Sequence, residues 1–159
     1  MKKIVPFLFL FLAGFLLVNC SKKIVFDEKV FFPDANWTHD DRIQTFQIPF
    51  SGSEKPYAVI MELELVGTPS VDMIDVYFSI FTPDGGKTVK GVVFNFKNPQ
   101  EPYIQGASAN EKTYRLVVYP KKYFSEGTYT FEVNKYSSKF DNYGIRAMRL
   151  YVEKIKEEK

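Results

Sequence analysis

The chain is poor in the residues on which most reactive sites depend. Its 159 residues include one cysteine, Cys20, one histidine, His39, and one tryptophan, Trp37. A single cysteine excludes an intrachain disulfide, and a single imidazole cannot complete the His and Cys ligand set of a zinc site. The apolar run at residues 4–18 is shorter than the roughly 20 residues that a membrane-spanning helix needs. We therefore expect a fold that is stabilised by core packing, with no metal and no cofactor.

The N-terminal segment has the three parts of a secretory signal. Two lysines at positions 2 and 3 precede the apolar run, and Cys20 follows it. This order is typical of a signal peptide, and Leu17-Val18-Asn19-Cys20 resembles the lipobox at which bacterial lipoproteins are cleaved. We predict that cleavage makes Cys20 the first residue of the mature chain and that Cys20 is acylated, with palmitate among the acyl chains. These acyl chains would anchor the protein to membrane lipid. An uncleaved N-terminal anchor helix is the alternative.

Charge and the residue after the cysteine narrow the location and the partners. Loss of Lys2 and Lys3 with the signal reduces the 21 basic side chains to the same number as the 19 acidic ones. A neutral chain has no overall field to attract nucleic acid, so we exclude that partner. Ser21 stands where some bacteria use Asp to retain a lipoprotein at the inner membrane. We therefore predict a lipid-anchored protein of the bacterial cell envelope, with the outer membrane favoured over the inner.

Alternation of apolar and polar residues dominates the rest of the chain. Glycine- and proline-rich turns such as residues 82–86 separate the alternating segments. Residues 98–112 form the longest connection, and residues 120–127 and the polar residues 135–143 form two others. Alternation favours antiparallel sheets with one wet face. We predict an all-β fold, an antiparallel, jelly-roll-like β-sandwich of about eight strands, with a small closed barrel as the alternative. A first strand is expected near residues 24–32, and the alternating segments that follow are residues 46–50, 57–65, 74–80, 87–96, 113–119, 128–134 and 145–152.

The same patterns divide the chain into four parts. Residues 1–19 are the signal peptide, and residues 20–29 are a lipidated tether. Residues 30–155 form a single β-sandwich domain, and residues 156–159 are a charged tail.

The segment around the lone histidine is the first candidate for chemistry. Trp37-Thr38-His39-Asp40-Asp41 offers one imidazole and two carboxylates, too few ligands for calcium or a transition metal. We interpret it as a solvated turn in which Trp37 fills one end of the sandwich. The sequence shows no nucleophile–base pair, and a hydrolase with two carboxylates is only a third hypothesis. We predict that the chain is not an enzyme.

Tyrosine is abundant, with 10 residues beside 16 phenylalanines. Alternation places Tyr77 and Tyr119 on wet faces, while Tyr103 and Tyr123 fall in connections. Together with Trp37 these are the candidate binding aromatics, because exposed rings anchor protein partners or stack on sugars. The first hypothesis is a non-catalytic accessory lipoprotein that binds an envelope protein. The alternative is a carbohydrate-binding module, which predicts two coplanar aromatic rings on one surface.

Several short motifs occur along the chain: Cys20, Val30-Phe31-Phe32 followed by Trp37, Phe46-Gln47-Ile48-Pro49, residues 57–63, residues 82–86 and residues 127–133. Together they resemble the GldH family of gliding-motility lipoproteins. This resemblance implies a lipoprotein that serves as an accessory part of an envelope machine, with no catalytic residues.

Overall fold

The computed structural model describes residues 24–52, 54–98, 104–105, 110–137 and 139–155. Cys20, Tyr103, the signal peptide and the charged tail lie outside these ranges. The described part contains eleven strands and one 3₁₀ turn, at Pro33–Ala35, and none of its helices is long and apolar enough to cross a bilayer. The strands are β1 Ile24–Phe31, β2 Asn36–Trp37, β3 Ile43–Ser51, β4 Tyr57–Val66, β5 Met73–Phe81, β6 Lys87–Asn95, β7 Ile104–Gln105, β8 Glu111–Lys122, β9 Glu126–Tyr136, β10 Asn142–Tyr143 and β11 Ile145–Lys154.

Eight long strands form two antiparallel sheets. One sheet has the order β1-β11-β4-β8, with the short β7 at its edge, and the other has the order β3-β9-β5-β6. Among these eight strands the first pairs with the last, the second with the seventh, the third with the sixth and the fourth with the fifth. A two-stranded ribbon that rolls up on itself gives this order, which is that of a jelly roll. The predicted all-β antiparallel sandwich is confirmed. The two sheets stay separate over the described ranges, so the alternative of a closed barrel is wrong.

The core lies between the two sheets and is built from the apolar side of each alternating segment. On β3 the buried residues are Phe46, Ile48 and Phe50, and on β4 one whole face from Tyr57 to Leu65 is buried. Burial of a large apolar side chain contributes roughly 1.5–3 kcal/mol. Alternation therefore fixes which face of each strand packs inward.

Strand boundaries extend beyond the alternating segments. β1 begins at Ile24, where the sequence predicts the first strand, so residues 24–29, which the division of the chain counts with the tether, belong to the sheet. Likewise, β8 continues to Lys122 and β3 to Ser51. Pro49 lies in β3, an edge strand, as expected for a residue that cannot donate to a ladder.

Candidate partner-binding face

The outer face of the five-stranded sheet is covered by ion pairs between its own strands. Arg149 donates two hydrogen bonds of 2.6 Å to Asp27, and this interaction lowers the pKa of the Asp27 carboxyl. Arg149 also donates to Glu62 at 3.2 Å, and Arg115 lies 3.9 Å from the same carboxylate. These charged groups satisfy one another, which leaves this face with little unpaired charge to offer a partner.

Glu62 is the most buried member of this network, only 7% exposed. Tyr151 donates a hydrogen bond of 3.4 Å to it, and the guanidinium groups of Arg115 and Arg149 lie 5.4 and 4.9 Å from the Tyr151 ring centroid. Burial, together with the nearby Glu62 charge, raises the pKa of Tyr151 to about 12. The arrangement is a closed structural cluster.

The outer face of the four-stranded sheet carries a group of exposed apolar side chains around Tyr77. We call this surface the Tyr77 face. Tyr77 lies opposite Gly91 on β6 and Asn134 on β9, and Asp75 lies between Val93 and Tyr136. Its exposed apolar residues are Ile43, Met73, Tyr77, Val89, Val93 and Tyr136.

Two tyrosines form the centre of the Tyr77 face. Tyr77 is 47% exposed and Tyr136 is 65% exposed, and their ring centroids are 5.8 Å apart at an interplanar angle of 62°. Gly91, beside Tyr77, has no described atom within 4 Å of where a Cβ would lie. The result is a bare strip of backbone next to an aromatic ring, onto which a partner side chain can pack. Rings at this angle do not form the coplanar platform that the carbohydrate-binding alternative predicts.

The other sequence-predicted aromatics lie elsewhere. Trp37 is fully buried, with its ring stacked on Phe32 at 5.0 Å and its Nε1–H donating to the Asp41 carbonyl. It fills one end of the sandwich, so the prediction that it binds a partner is wrong. Tyr123 is exposed beyond the end of β8, on a different part of the molecule from Tyr136, which ends β9, and the Lys121 ammonium is 5.6 Å from its ring centroid.

The outward orientation predicted for Tyr119 is also wrong. A bulge in β8 pairs Tyr119 with Val59 and Val117 with Ile60, which leaves Val118 as the extra residue. Because a bulge interrupts alternation, Val118 and Tyr119 both pack against the core. Burial raises the pKa of Tyr119, and its hydroxyl oxygen has no hydrogen-bond partner within the described part of the chain.

The histidine segment forms a local turn. Arg42 donates a hydrogen bond of 2.7 Å to His39 Nε2, and the Thr38 hydroxyl donates to Asp41 at 3.0 Å. Over residues 24–155, as far as they are described, no three or more His, Cys, Asp or Glu side chains are grouped so as to hold a metal ion.

The sequence placed Tyr136 in the polar connection at residues 135–143, and the structure places it on a strand. β9 continues to Tyr136, and pairing with Asp75 of β5 sets it beside Tyr77. One signal for this placement was available in the sequence. Thr130, Glu132 and Asn134 occupy every second position on the solvent-exposed face, and Tyr136 is the next residue of that pattern.

Comparison with known proteins finds a distant relative. No protein family model matches the chain, and no solved structure does. The chain is 33% identical over 90 residues to the gliding motility lipoprotein GldH of Flavobacterium johnsoniae, a match that covers 57% of this chain and 55% of the relative. The chain therefore spans about half the length of the curated relative it matches. The resemblance to GldH inferred from short motifs is confirmed as a distant similarity.

Proposed function

We propose that the chain is a lipid-anchored, non-catalytic accessory component of a bacterial envelope assembly, and that it binds a protein partner through the Tyr77 face. The observation that carries this proposal is the cluster of exposed tyrosine, valine and methionine side chains on one sheet face. Large contiguous apolar patches are rare on monomeric soluble proteins, and they mark interaction sites. The similarity to a lipoprotein of gliding motility supports an envelope location.

The anchor would hold the domain close to the membrane. Cys20 precedes Ile24, the first residue of β1, by four residues. Because an extended chain spans at most about 3.6 Å per residue, a lipid on the Cys20 sulfur would begin within roughly 15–20 Å of the sheet. Ile24 pairs with Glu153, and the neighbouring residue Lys154 pairs with Tyr57. This end of the sandwich would therefore face the bilayer.

The chemistry of the Tyr77 face favours a protein over a sugar. Tyrosine and methionine are enriched where protein interfaces bury their central residues. The two tyrosine rings meet edge to face, and valines flank them. An apolar protein surface complements this arrangement better than the flat face of a sugar ring.

Photo-cross-linking in native cells tests the partner-binding face. A photoreactive amino acid replaces Tyr136 in the full-length chain, and in a matched control it replaces Phe31, which is 64% exposed on the other sheet. We expect a discrete protein adduct from position 136 and none from position 31. Tyr77→Ala should reduce the adduct about tenfold, since a central interface aromatic contributes 1–2 kcal/mol or more. Equal labelling from both positions, or none from 136, would contradict the proposal.

Acylation is tested separately. Cells fed an alkyne-bearing palmitate should label the wild-type chain and leave Cys20→Ala unlabelled. A labelled Cys20→Ala chain would refute the assignment of the anchor.

A further inference from the structure

The free backbone groups of β6 can be identified from two hydrogen bonds beside it. Phe96 N–H donates to the Asp72 carbonyl at 2.8 Å, and Thr82 N–H donates to the Gly86 carbonyl at 2.9 Å. In an antiparallel pair, every second residue directs both of its backbone groups at its neighbour. The even-numbered residues of β6 therefore bond to β5. The odd-numbered ones, residues 87 to 95, direct their N–H and C=O groups to the open edge, where no described strand pairs with them.

The opposite edge of the same sheet is blocked. Lys135 N–H donates to the Arg42 carbonyl, so the odd-numbered residues of β3 direct their backbone groups outward. One of these is Pro49, which has no N–H to offer. β6 contains no proline, and Gly91 lies at its centre. Of the two edges, only β6 can pair with a further strand along its length.

We propose that β6 accepts an extended strand of the partner protein, which pairs with Lys87–Asn95 and continues the four-stranded sheet. This inference rests on the proposed function and specifies how the partner is bound. The incoming backbone would bond to the free groups of Val89, Gly91 and Val93, the mode known as β-strand addition. A large apolar side chain opposite Gly91 would lie across the glycine against the ring of Tyr77, which the sheet register places directly beside it.

Charge indicates what the incoming strand contains. β6 carries Lys87 and Lys90 and no acidic residue. The Lys90 ammonium donates to the Val118 carbonyl at 2.5 Å and lies 5.0 Å from the Tyr119 ring centroid, so it is held beside the edge. Pairing two copies of β6 would bring four lysines together without a counter-charge. Edge lysines suppress such self-pairing, and a strand with an acidic side chain opposite Lys90 meets no such penalty.

Amide hydrogen exchange tests the edge itself. In the full-length lipoprotein in detergent micelles, the amides of Val89, Gly91 and Val93 should exchange at least about a hundredfold faster than those of Val92 and Phe94, which bond to β5. Equal protection of the two sets would mean that the edge is already occupied, and would overturn the proposal.

A matched pair of variants tests strand addition. Val89→Pro removes one outward N–H, while Val89→Thr keeps it at nearly the same volume. Pro49 shows that the fold accepts proline at an outward edge position. With the photoreactive residue at position 136, Val89→Pro should reduce the adduct about tenfold or more, and Val89→Thr should leave it unchanged. Unchanged fluorescence of Trp37 would verify that Val89→Pro is folded.

The outcomes separate the two proposals. Strand addition is supported if two results are obtained together. Mass spectrometry identifies a partner segment that contains acidic residues and alternates apolar with polar residues, and Val89→Pro abolishes the adduct with this segment. An adduct that survives Val89→Pro overturns strand addition and leaves the Tyr77 face as the binding surface. An adduct with the mass of two copies of this chain overturns the proposal of a foreign strand. Absence of any adduct from position 136 in the wild type overturns both proposals.

Discussion

Phe124 lies in the short connection between β8 and β9, yet only 2% of it is exposed. Its ring stacks on Phe50 at 4.1 Å, and the ring centroids of Tyr57, Tyr129 and Phe131 lie 5.1–5.8 Å away. Phe124→Ala removes a buried ring and leaves a cavity, which lowers the free energy of unfolding by about 3–5 kcal/mol. For a domain of this size, that corresponds to a fall of roughly 10–25 °C in Tm.

The adjacent residue supplies the control. Tyr123 is half exposed, so Tyr123→Ala should change the free energy of unfolding by no more than about 0.5 kcal/mol. Urea unfolding can be followed by fluorescence, because Trp37 is the only tryptophan and is fully buried. A loss below about 1 kcal/mol for Phe124→Ala, or equal losses for both variants, would refute the assignment of this connection to the core.

Two further predictions concern backbone strain and alkaline pH. Gly127 has φ +138°, and a Cβ there would lie 2.5 Å from Pro83 Cγ. Gly127→Ala should therefore lower the free energy of unfolding, measured by thermal unfolding, by roughly 1–3 kcal/mol. Gly85 has φ +87° and open space around it, so Gly85→Ala should lower the free energy of unfolding by less. Because the fold raises the pKa of Tyr151 from 10 to about 12, its stabilising contribution is complete below pH 10 and is lost between pH 10 and 12. The urea midpoint should therefore fall less over this range for Tyr151→Phe than for the wild type, and parallel curves would contradict the assignment.

The fold class was accessible from sequence because alternation is a local property of the chain. Each strand that must bury one face repeats apolar residues at every second position. Phe46, Ile48 and Phe50 show this pattern, and all three are buried. The prediction of which face each side chain occupies was wrong where a strand departs from this period. The extra residue Val118 turns Tyr119 inward, and nothing in the residue types around it indicates a bulge.

Only part of the candidate site could be predicted from the sequence. The sequence identified Tyr77 as outward-facing, but it could not indicate that Tyr136 lies beside it, since that contact depends on the pairing of β5 with β9. It also placed Trp37 among the binding aromatics. Stacking on Phe32 across a turn removes that ring from the surface.

The sequence by itself determined the signal-like N-terminus, the all-β class and the buried face of most strands, because these follow from composition and a two-residue period. The tertiary structure decided which strands are neighbours, which edge is left open and which exposed side chains meet. Those features depend on contacts between residues far apart in the chain, so the local sequence pattern does not indicate them. The open edge of β6 and the blocked edge of β3 arise in this way, from the place that each strand takes in the rolled ribbon.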